Sequence, residues 1–384
     1  MKLLPTAGVV AAMTLLTAET QAASAAFDTA KVQPVTVSTA DGQTVCNVSG
    51  AFSQIPGHPN AFVGRGLGIG SLDYCHSLHN PPAFLALFHM DWQQHTMTLQ
   101  EILLKPPVKT GSGVDLHNGY DPYVAQFDGT YWVAFECTAP AAVSTCVVPL
   151  DLNKKSLDLT RLTVPVEGTL GPRGNHKQVV GLLSASAPTL LTHAGKLFLY
   201  WQIDAFDNQL LQNPLVTRGA ELKVDSNGMA WVVGSGGHPI KTDDSGHTSL
   251  VHDVKHGDER SDHVAVLSDA VSVGDKIVEI ASVGGSGGQQ ICRSTHDASP
   301  GCWRMALAVS DQPLQHDTFG THRIEVSGLP ANVIEYPRII TDPSGHHYLM
   351  GNFERPKAQP LADRTTVPAN GLAYIPFDPQ SLAH

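Results

Sequence analysis

The run Asp121-Pro122-Tyr123-Val124-Ala125-Gln126-Phe127-Asp128-Gly129, followed by Tyr131-Trp132-Val133-Ala134-Phe135, carries the reading of the fold. A proline opens it, a β-rich run follows, Asp-Gly supplies a tight turn and an aromatic-rich strand returns, which is the signature of a β-hairpin. The same order recurs as Ala187-Pro188-Thr189-Leu190-Leu191, a turn at Ala194-Gly195, and Leu197-Phe198-Leu199-Tyr200-Trp201. Pro122 stands seven residues before Gly129, and Pro188 seven before Gly195. A third copy is Tyr336-Pro337-Arg338-Ile339-Ile340, turning at Ser344-Gly345 and returning through His347-Tyr348-Leu349-Met350, with one extra residue before the turn.

Two looser copies fill the gaps. Ala270 to Asp275 leads into Ile277-Val278-Glu279-Ile280, and Pro82-Ala83-Phe84-Leu85-Ala86-Leu87-Phe88 reads as a strand of a first unit. Repeated hairpins that each need neighbours to bury their faces predict an all-β fold, a five-bladed β-propeller of four-stranded antiparallel blades. The expected domain spans residues 26–384 behind a leader at residues 1–25. Two β-sandwiches with hairpins alike through shared turn chemistry are the competing architecture. Leu99 to Leu104 reads equally as a short helix or an outer strand.

Composition narrows the function classes. The 384 residues hold 24 Lys+Arg against 35 Asp+Glu, a formal charge of −11, which excludes a partner held mainly through its phosphates. Hydrophobic residues at 42% suffice for a large core, while 35 Gly and 26 Pro are too many for a helix-dominated chain. Lys2, the apolar run Leu3 to Leu16 and the small residues around Ala22 and Ala25 form the pattern of a secretory signal, cleaved after Ala22 or Ala25. Its apolar run is short for a membrane span, and no later segment is long enough. Six cysteines in an exported chain favour disulfides, and neighbours in sequence pair as Cys46–Cys75, Cys137–Cys146 and Cys292–Cys302.

Inner strands of a propeller begin around a central funnel, so residues just ahead of them share a pocket. Asp121 heads the second unit, Glu335 stands just before the fifth, Asp73 lies in the approach to the first, and Asp262 or Asp269 stands near the fourth. Carboxylates gathered from separate blades supply the acid and base that hydrolyse a glycosidic bond. The bland alternatives are an Asp that initiates a turn before proline and a Glu335 paired with Arg338.

Those residues also carry a resemblance. Tyr120-Asp121-Pro122 with Asp128-Gly129 and Tyr131-Trp132-Val133, together with Glu335-Tyr336-Pro337 and Gly345-His346-His347-Tyr348-Leu349, resemble blade openings of the five-bladed propeller glycosidases. These are the arabinanase and xylosidase group, with invertases and levansucrases as relatives. The resemblance implies Asp121 as base and Glu335 as acid, with a further Asp tuning the acid. The order departs from the group, because the unit after Asp121 opens with Ala187-Pro188 and lacks a carboxylate. In a closed ring only the first unit separates the fifth from the second, which makes Asp73 the candidate tuning group. Arg338, His347 and Asp262 are candidate substrate-binding residues. Phe135-Glu136-Cys137 resembles a Glu-Cys pair of the invertase relatives, but it ends a strand opposite a blade opening and is set aside.

Other motifs weigh less. His252-Asp253, His256, Asp258-Glu259 and Asp262-His263 crowd one loop, as a solvated polar loop or as ligands of a structural divalent ion; no other cofactor is expected. Gly284 to Gly288 satisfies GxSxG around Ser286 without the following helix of a nucleophile elbow, and Gly64 to Gly70 lacks the Lys-Ser/Thr of a phosphate loop. The expectation is an exported glycoside hydrolase-like protein acting on an oligo- or polysaccharide; the alternative is a noncatalytic carbohydrate- or protein-binding propeller that has lost hydrolysis.

Overall fold

The computed structural model describes residues 24–46, 52–78, 82–111, 113–139, 142–170, 182–206, 216–242, 244–252, 264–284, 290–291, 302–316, 323–327, 334–353 and 372–383. Among them lie five sheets of four or more strands, one two-stranded ribbon and one α-helix, α1 (Leu72–Ser77). Within each sheet the strands follow one another outward in chain order, so each sheet is a blade. Blade I runs Ser53–Ile55, His58–Gly66, Phe84–Asp91, Thr96–Leu104, and blade II runs Tyr120–Phe127, Thr130–Ala139, Ala142–Asp151, Thr163–Glu167. Blade III is Leu182–His193, Lys196–Phe206, Val216–Val224, Ala230–Val232, and blade IV is Val264–Val273, Lys276–Gly284, Cys302–Ser310, Arg323–Ser327. Blade V has Ile334–Thr341, His347–Phe353 and Leu372–Pro376, completed from the other end of the chain by Gln33–Pro34.

Period-two alternation makes this a ring. Along the inner strand of blade II, Tyr123 and Ala125 pack toward blade III while Val124 packs toward blade I. On the next strand Trp132 and Ala134 take one side, Val133 and Phe135 the other. Both faces of the sheet are therefore apolar, and each needs a neighbouring blade. Five buried clusters result, one at each junction of blades I–II, II–III, III–IV, IV–V and V–I.

A hydrogen bond between inner strands marks every junction. Val124 N donates to Ser53 Oγ (2.8 Å), Thr192 Oγ1 to the Gln126 carbonyl (2.8 Å), Thr189 Oγ1 to the Leu267 carbonyl (3.0 Å) and Ile339 N to Asp269 Oδ2 (2.6 Å). Closure between blades V and I falls to Gln54, whose Oε1 accepts from Thr341 N (2.8 Å) while Nε2 donates to the Thr341 carbonyl (2.7 Å).

The hairpin turns follow the sequence signals. Asp128-Gly129 and Ala194-Gly195 both place two consecutive residues at positive φ (48° and 71°, 48° and 72°), the geometry of a two-residue hairpin turn. The strand read at Pro82 to Phe88 is Phe84–Asp91, the third of blade I and not part of its inner hairpin, which is Ser53–Ile55 with His58–Gly66, turned by Pro56-Gly57. Of the two readings of Leu99 to Leu104, the outer strand is the one observed. The outer edges also carry additions beyond four antiparallel strands: Ser24–Ala26 runs parallel to Arg323–Ser327 on blade IV, and Thr36–Thr39 parallel to Thr96–Leu104 on blade I. The first described residues thus edge blades IV, V and I in turn, binding the start of the chain to its end.

Disulfides join Cys46 to Cys75 and Cys137 to Cys146, as the sequence reading paired them. Cys292 and residues 1–23 lie outside the described residues. Replacement of Gln54 by alanine strips both backbone groups of Thr341 of their partner at the closing junction, and we expect a loss of about 1–3 kcal/mol in denaturant unfolding with the far-UV spectrum retained. An unchanged midpoint would show that the apolar cluster alone closes the ring.

Candidate active site

Each of three inner strands opens with the same irregularity. In blade II the cross-strand partners step from Tyr120↔Glu136 to Tyr123↔Ala134, in blade III from Ser186↔Gln202 to Thr189↔Tyr200, and in blade V from Glu335↔Asn352 to Arg338↔Met350. The inner strand advances three residues where its partner advances two, which is a β-bulge with one extra residue. At the bulge stand Asp121, Ala187 and Tyr336, with φ of 48°, 43° and 49°. The prolines that follow lack an N–H and fit where the ladder asks for none. Left-handed geometry is unfavourable for a residue with a Cβ, and bulges re-aim side chains. The repeated pattern therefore sets the equivalent positions, and it makes Tyr336, not Glu335, the counterpart of Asp121. Glu335 is the counterpart of Tyr120, one residue earlier.

Asp121 is 3% exposed, and its Oδ1 lies 3.2 Å from Nη1 of Arg65 at the end of the second strand of blade I. The Arg65 guanidinium also lies 4.9 Å from the centroid of the Tyr120 ring. Burial works against the charge on Arg65, yet Asp121, followed by Tyr336, Glu136 and Tyr120, raises its pKa above the ordinary arginine value. Burial, opposed by Arg65, pushes the Tyr120 phenol up. The glycines beside Arg65 give the strand its close fit: a Cβ on Gly64 would stand 2.4 Å from Phe52 Cε1, and one on Gly66 2.5 Å from Phe84 Cζ.

Below this lip three blades meet across the axis. The Tyr123 hydroxyl of blade II donates to Asp269 Oδ1 of blade IV, and Arg338 of blade V lies with its Cζ 4.4 Å from the Tyr123 ring centroid. Blades II and IV are not neighbours in the ring, so this contact crosses the central space and floors the funnel. Burial raises the pKa of Asp269 despite the bonds from Tyr123, Ile339 and Ala270, raises that of Tyr123 far above the phenol range, and lowers that of Arg338. Nε and Nη1 of Arg338 are buried and accepted by no described group.

The structure also brings in Glu136, which the sequence reading set aside. Its Oε1 accepts the Ala187 N–H at 2.7 Å, so a carboxylate from blade II stands at the blade III opening that itself lacks one. Of the expected residues, Arg338 is buried over the ring of Tyr123, in the strand that also carries Asp121. Glu335 is described as a strand residue opposite Asn352. Asp73 is exposed in the first turn of α1. His347 lies beside the hairpin turn at the far end of blade V, bonded through Nδ1 to Thr341 Oγ1 (3.0 Å), away from the blade openings. Asp262, Ser286 and residues 253–263 lie outside the described residues, among which no group of three or more His, Cys, Asp or Glu is spaced to hold a metal ion.

No protein-family model matches the sequence, and no curated protein matches it. Solved structures do. The native arabinanase of Bacillus subtilis superposes with a TM-score of 0.50 at 10% identity, over 86% of this chain and 94% of its own. The likeness is one of fold. The endo-arabinase of Bacteroides thetaiotaomicron gives a TM-score of 0.46 at 13% identity, over 87% and 97%. The β-propeller expected from the repeated hairpins is the architecture observed.

Arg65→Met would strand a buried carboxylate and lower stability by about 3 kcal/mol, whereas Arg65→Met combined with Asp121→Asn should lose clearly less than the two single losses added together. Strict additivity in that cycle would mean the two side chains do not interact.

Proposed function

We propose that this protein acts on carbohydrate in the funnel, hydrolysing a glycosidic bond with Asp121 as base and Glu335 as acid. Support rests on Asp121 above all: a carboxylate carried by a left-handed residue in a bulge of an inner strand and paired with Arg65. In this reaction the acid gives its proton to the leaving glycosidic oxygen as the C–O bond breaks. The base takes a proton from the water whose oxygen bonds to the anomeric carbon. Arg338, whose Nε and Nη1 have no described partner, would turn them to sugar hydroxyls. The reaction draws on carboxylates alone.

A second reading, a noncatalytic funnel that only binds glycans, is favoured by Ala187. The residue equivalent to Asp121 in the next blade has no carboxylate, and its N–H is already taken by Glu136. Assays of Asp121→Asn and Glu335→Gln on a panel of furanosides and pyranosides separate the two. Loss of at least about a hundredfold in either variant is expected for a base or acid. Turnover unchanged in both would end the assignment, and glycan retention by a wild type that turns nothing over would leave the binding reading.

Export belongs to the same proposal and is supported by the leader pattern at the start of the sequence and by the disulfides. Ser24–Ala26 forms an edge strand on blade IV with Ala25 buried, so cleavage of the leader after Ala22 keeps that strand whole, while cleavage after Ala25 removes two of its three residues. Sequencing the mature N-terminus should therefore read Ala23 first; a start at Ala26 would show the strand to be dispensable.

A further inference from the structure

Three large apolar side chains stand well exposed among the described residues, Leu72, Tyr74 and Val233, and of these Tyr74 on α1 has a fitted seat. Tyr74 is 44% exposed, and its position is built rather than incidental. The strand Gly68–Gly70 leads into α1 and presents glycine on alternate positions, hence on one face. A Cβ on Gly70 would stand 2.5 Å from Tyr74 Cδ1 and 3.0 Å from Cγ; one on Gly68 would stand 3.1 Å from Cε1 and 3.3 Å from the hydroxyl oxygen. The ring therefore lies along the bare backbone from Gly70 back to Gly68, seated on one side and open to solvent on the other.

Two further constraints hold it there. Ser71 caps the helix by accepting the Tyr74 N–H on its Oγ (3.2 Å), and Cys75, the next residue, is tied by a disulfide to Cys46. A small aromatic surface fixed in this way loses little conformational freedom when it binds something.

Its place in the fold says what. Arg65, the partner of Asp121 at the funnel lip, precedes Gly68 by three residues, so their Cα atoms lie within about 11 Å of one another. The phenol end of the Tyr74 ring rests against Gly68, the end of the seat nearer to Arg65 along the chain. The open surface is one ring with Ser71 and Ser77 three residues to either side, too small and too polar for a stable protein interface. It matches the C–H face of a single sugar with hydroxyls around it. With Asp73 adjacent and a chain charge of −11, that sugar is a neutral one.

We propose that Tyr74 is an aromatic platform at the funnel rim on which a neutral glycan stacks one sugar ring while a neighbouring part of its chain occupies the funnel at Asp121. This extends the reading of the funnel as a carbohydrate site and rests on it.

Affinity electrophoresis through gels containing arabinan, levan or xylan tests the platform, with binding of a matched methyl monosaccharide measured alongside. For the polymer that wild type binds, Tyr74→Ala and Tyr74→Leu should lower the ratio of polymer to monosaccharide affinity roughly three- to tenfold, and Tyr74→Phe should retain it. Tyr74→Leu keeps an apolar side chain over the glycines, so its melting temperature serves as the control for folding. A ratio unchanged in Tyr74→Ala and Tyr74→Leu, while Asp121→Asn weakens binding, would overturn the platform and leave the funnel reading standing. A wild type that binds none of the three polymers would overturn both. Dimerisation of wild type in sedimentation that Tyr74→Ala abolishes would also overturn it, assigning this face to a second copy of the chain.

Discussion

Everything in this fold depends on sheets that are apolar on both faces. A strand such as Tyr120–Phe127 sends Val124 one way and Tyr123 and Ala125 the other, and neither face reaches water. One sheet packed on another would leave two outer faces bare; five in a circle leave none. Each of the five buried clusters consequently belongs to two blades, so no blade is a folding unit with a core of its own. Stability then turns on the last junction, where Gln54 ties blade I to Thr341 of blade V and where Gln33–Pro34 seals the outer edge of blade V.

The ring converts a local irregularity into a site. The same bulge recurs in three inner strands, so Asp121, Ala187 and Tyr336 take equivalent places in blades II, III and V. The floor of Tyr123, Asp269 and Arg338 fixes the depth of the central space, because it links blades II, IV and V directly and leaves them little freedom to splay. Rim and floor are therefore set by different residues of the same inner strands. Tyr123 is only two residues from Asp121, yet one lines the opening and the other blocks the channel.

How much was legible in the sequence follows from where the signals were strong. Pro-X-to-Gly hairpins around Pro122, Pro188 and Pro337 were readable because bulge, proline and tight turn all leave fixed residue types at fixed distances. The inner strand of blade I was not, since Ser53–Ile55 is three residues long and carries no proline at its head; the longer, more apolar Phe84–Asp91 drew the reading outward. The one-residue offset between Glu335 and Tyr336 was likewise out of reach. A bulge shifts register by a single residue, and only cross-strand pairing shows which residue it displaces. Arg65 had a trace in Gly64-Arg65-Gly66, where glycines on both sides clear space for Phe52 and Phe84, but nothing in that triplet names Asp121 as the partner. Glu136 depended on two strands from different blades and on an alanine at 187, a combination no local pattern encodes.

The electrostatics of the lip argue that it is more than scaffolding. A buried ion pair is rarely the most stable filling for its volume, because the desolvation of two charges consumes most of their attraction. A left-handed aspartate ahead of proline is a further unfavourable choice, of about 1–2 kcal/mol. Blade III shows that the fold tolerates a cheaper residue at the same bulge, for Ala187 adopts the same φ region with no charge at all. Yet blade II keeps Asp121 and opposes it with Arg65, and a glutamate from blade II stands over the alanine of blade III. A ring built for stability alone would have placed small neutral residues at every opening. Charges kept where the fold does not require them mark the blade openings as the place where function has to be tested.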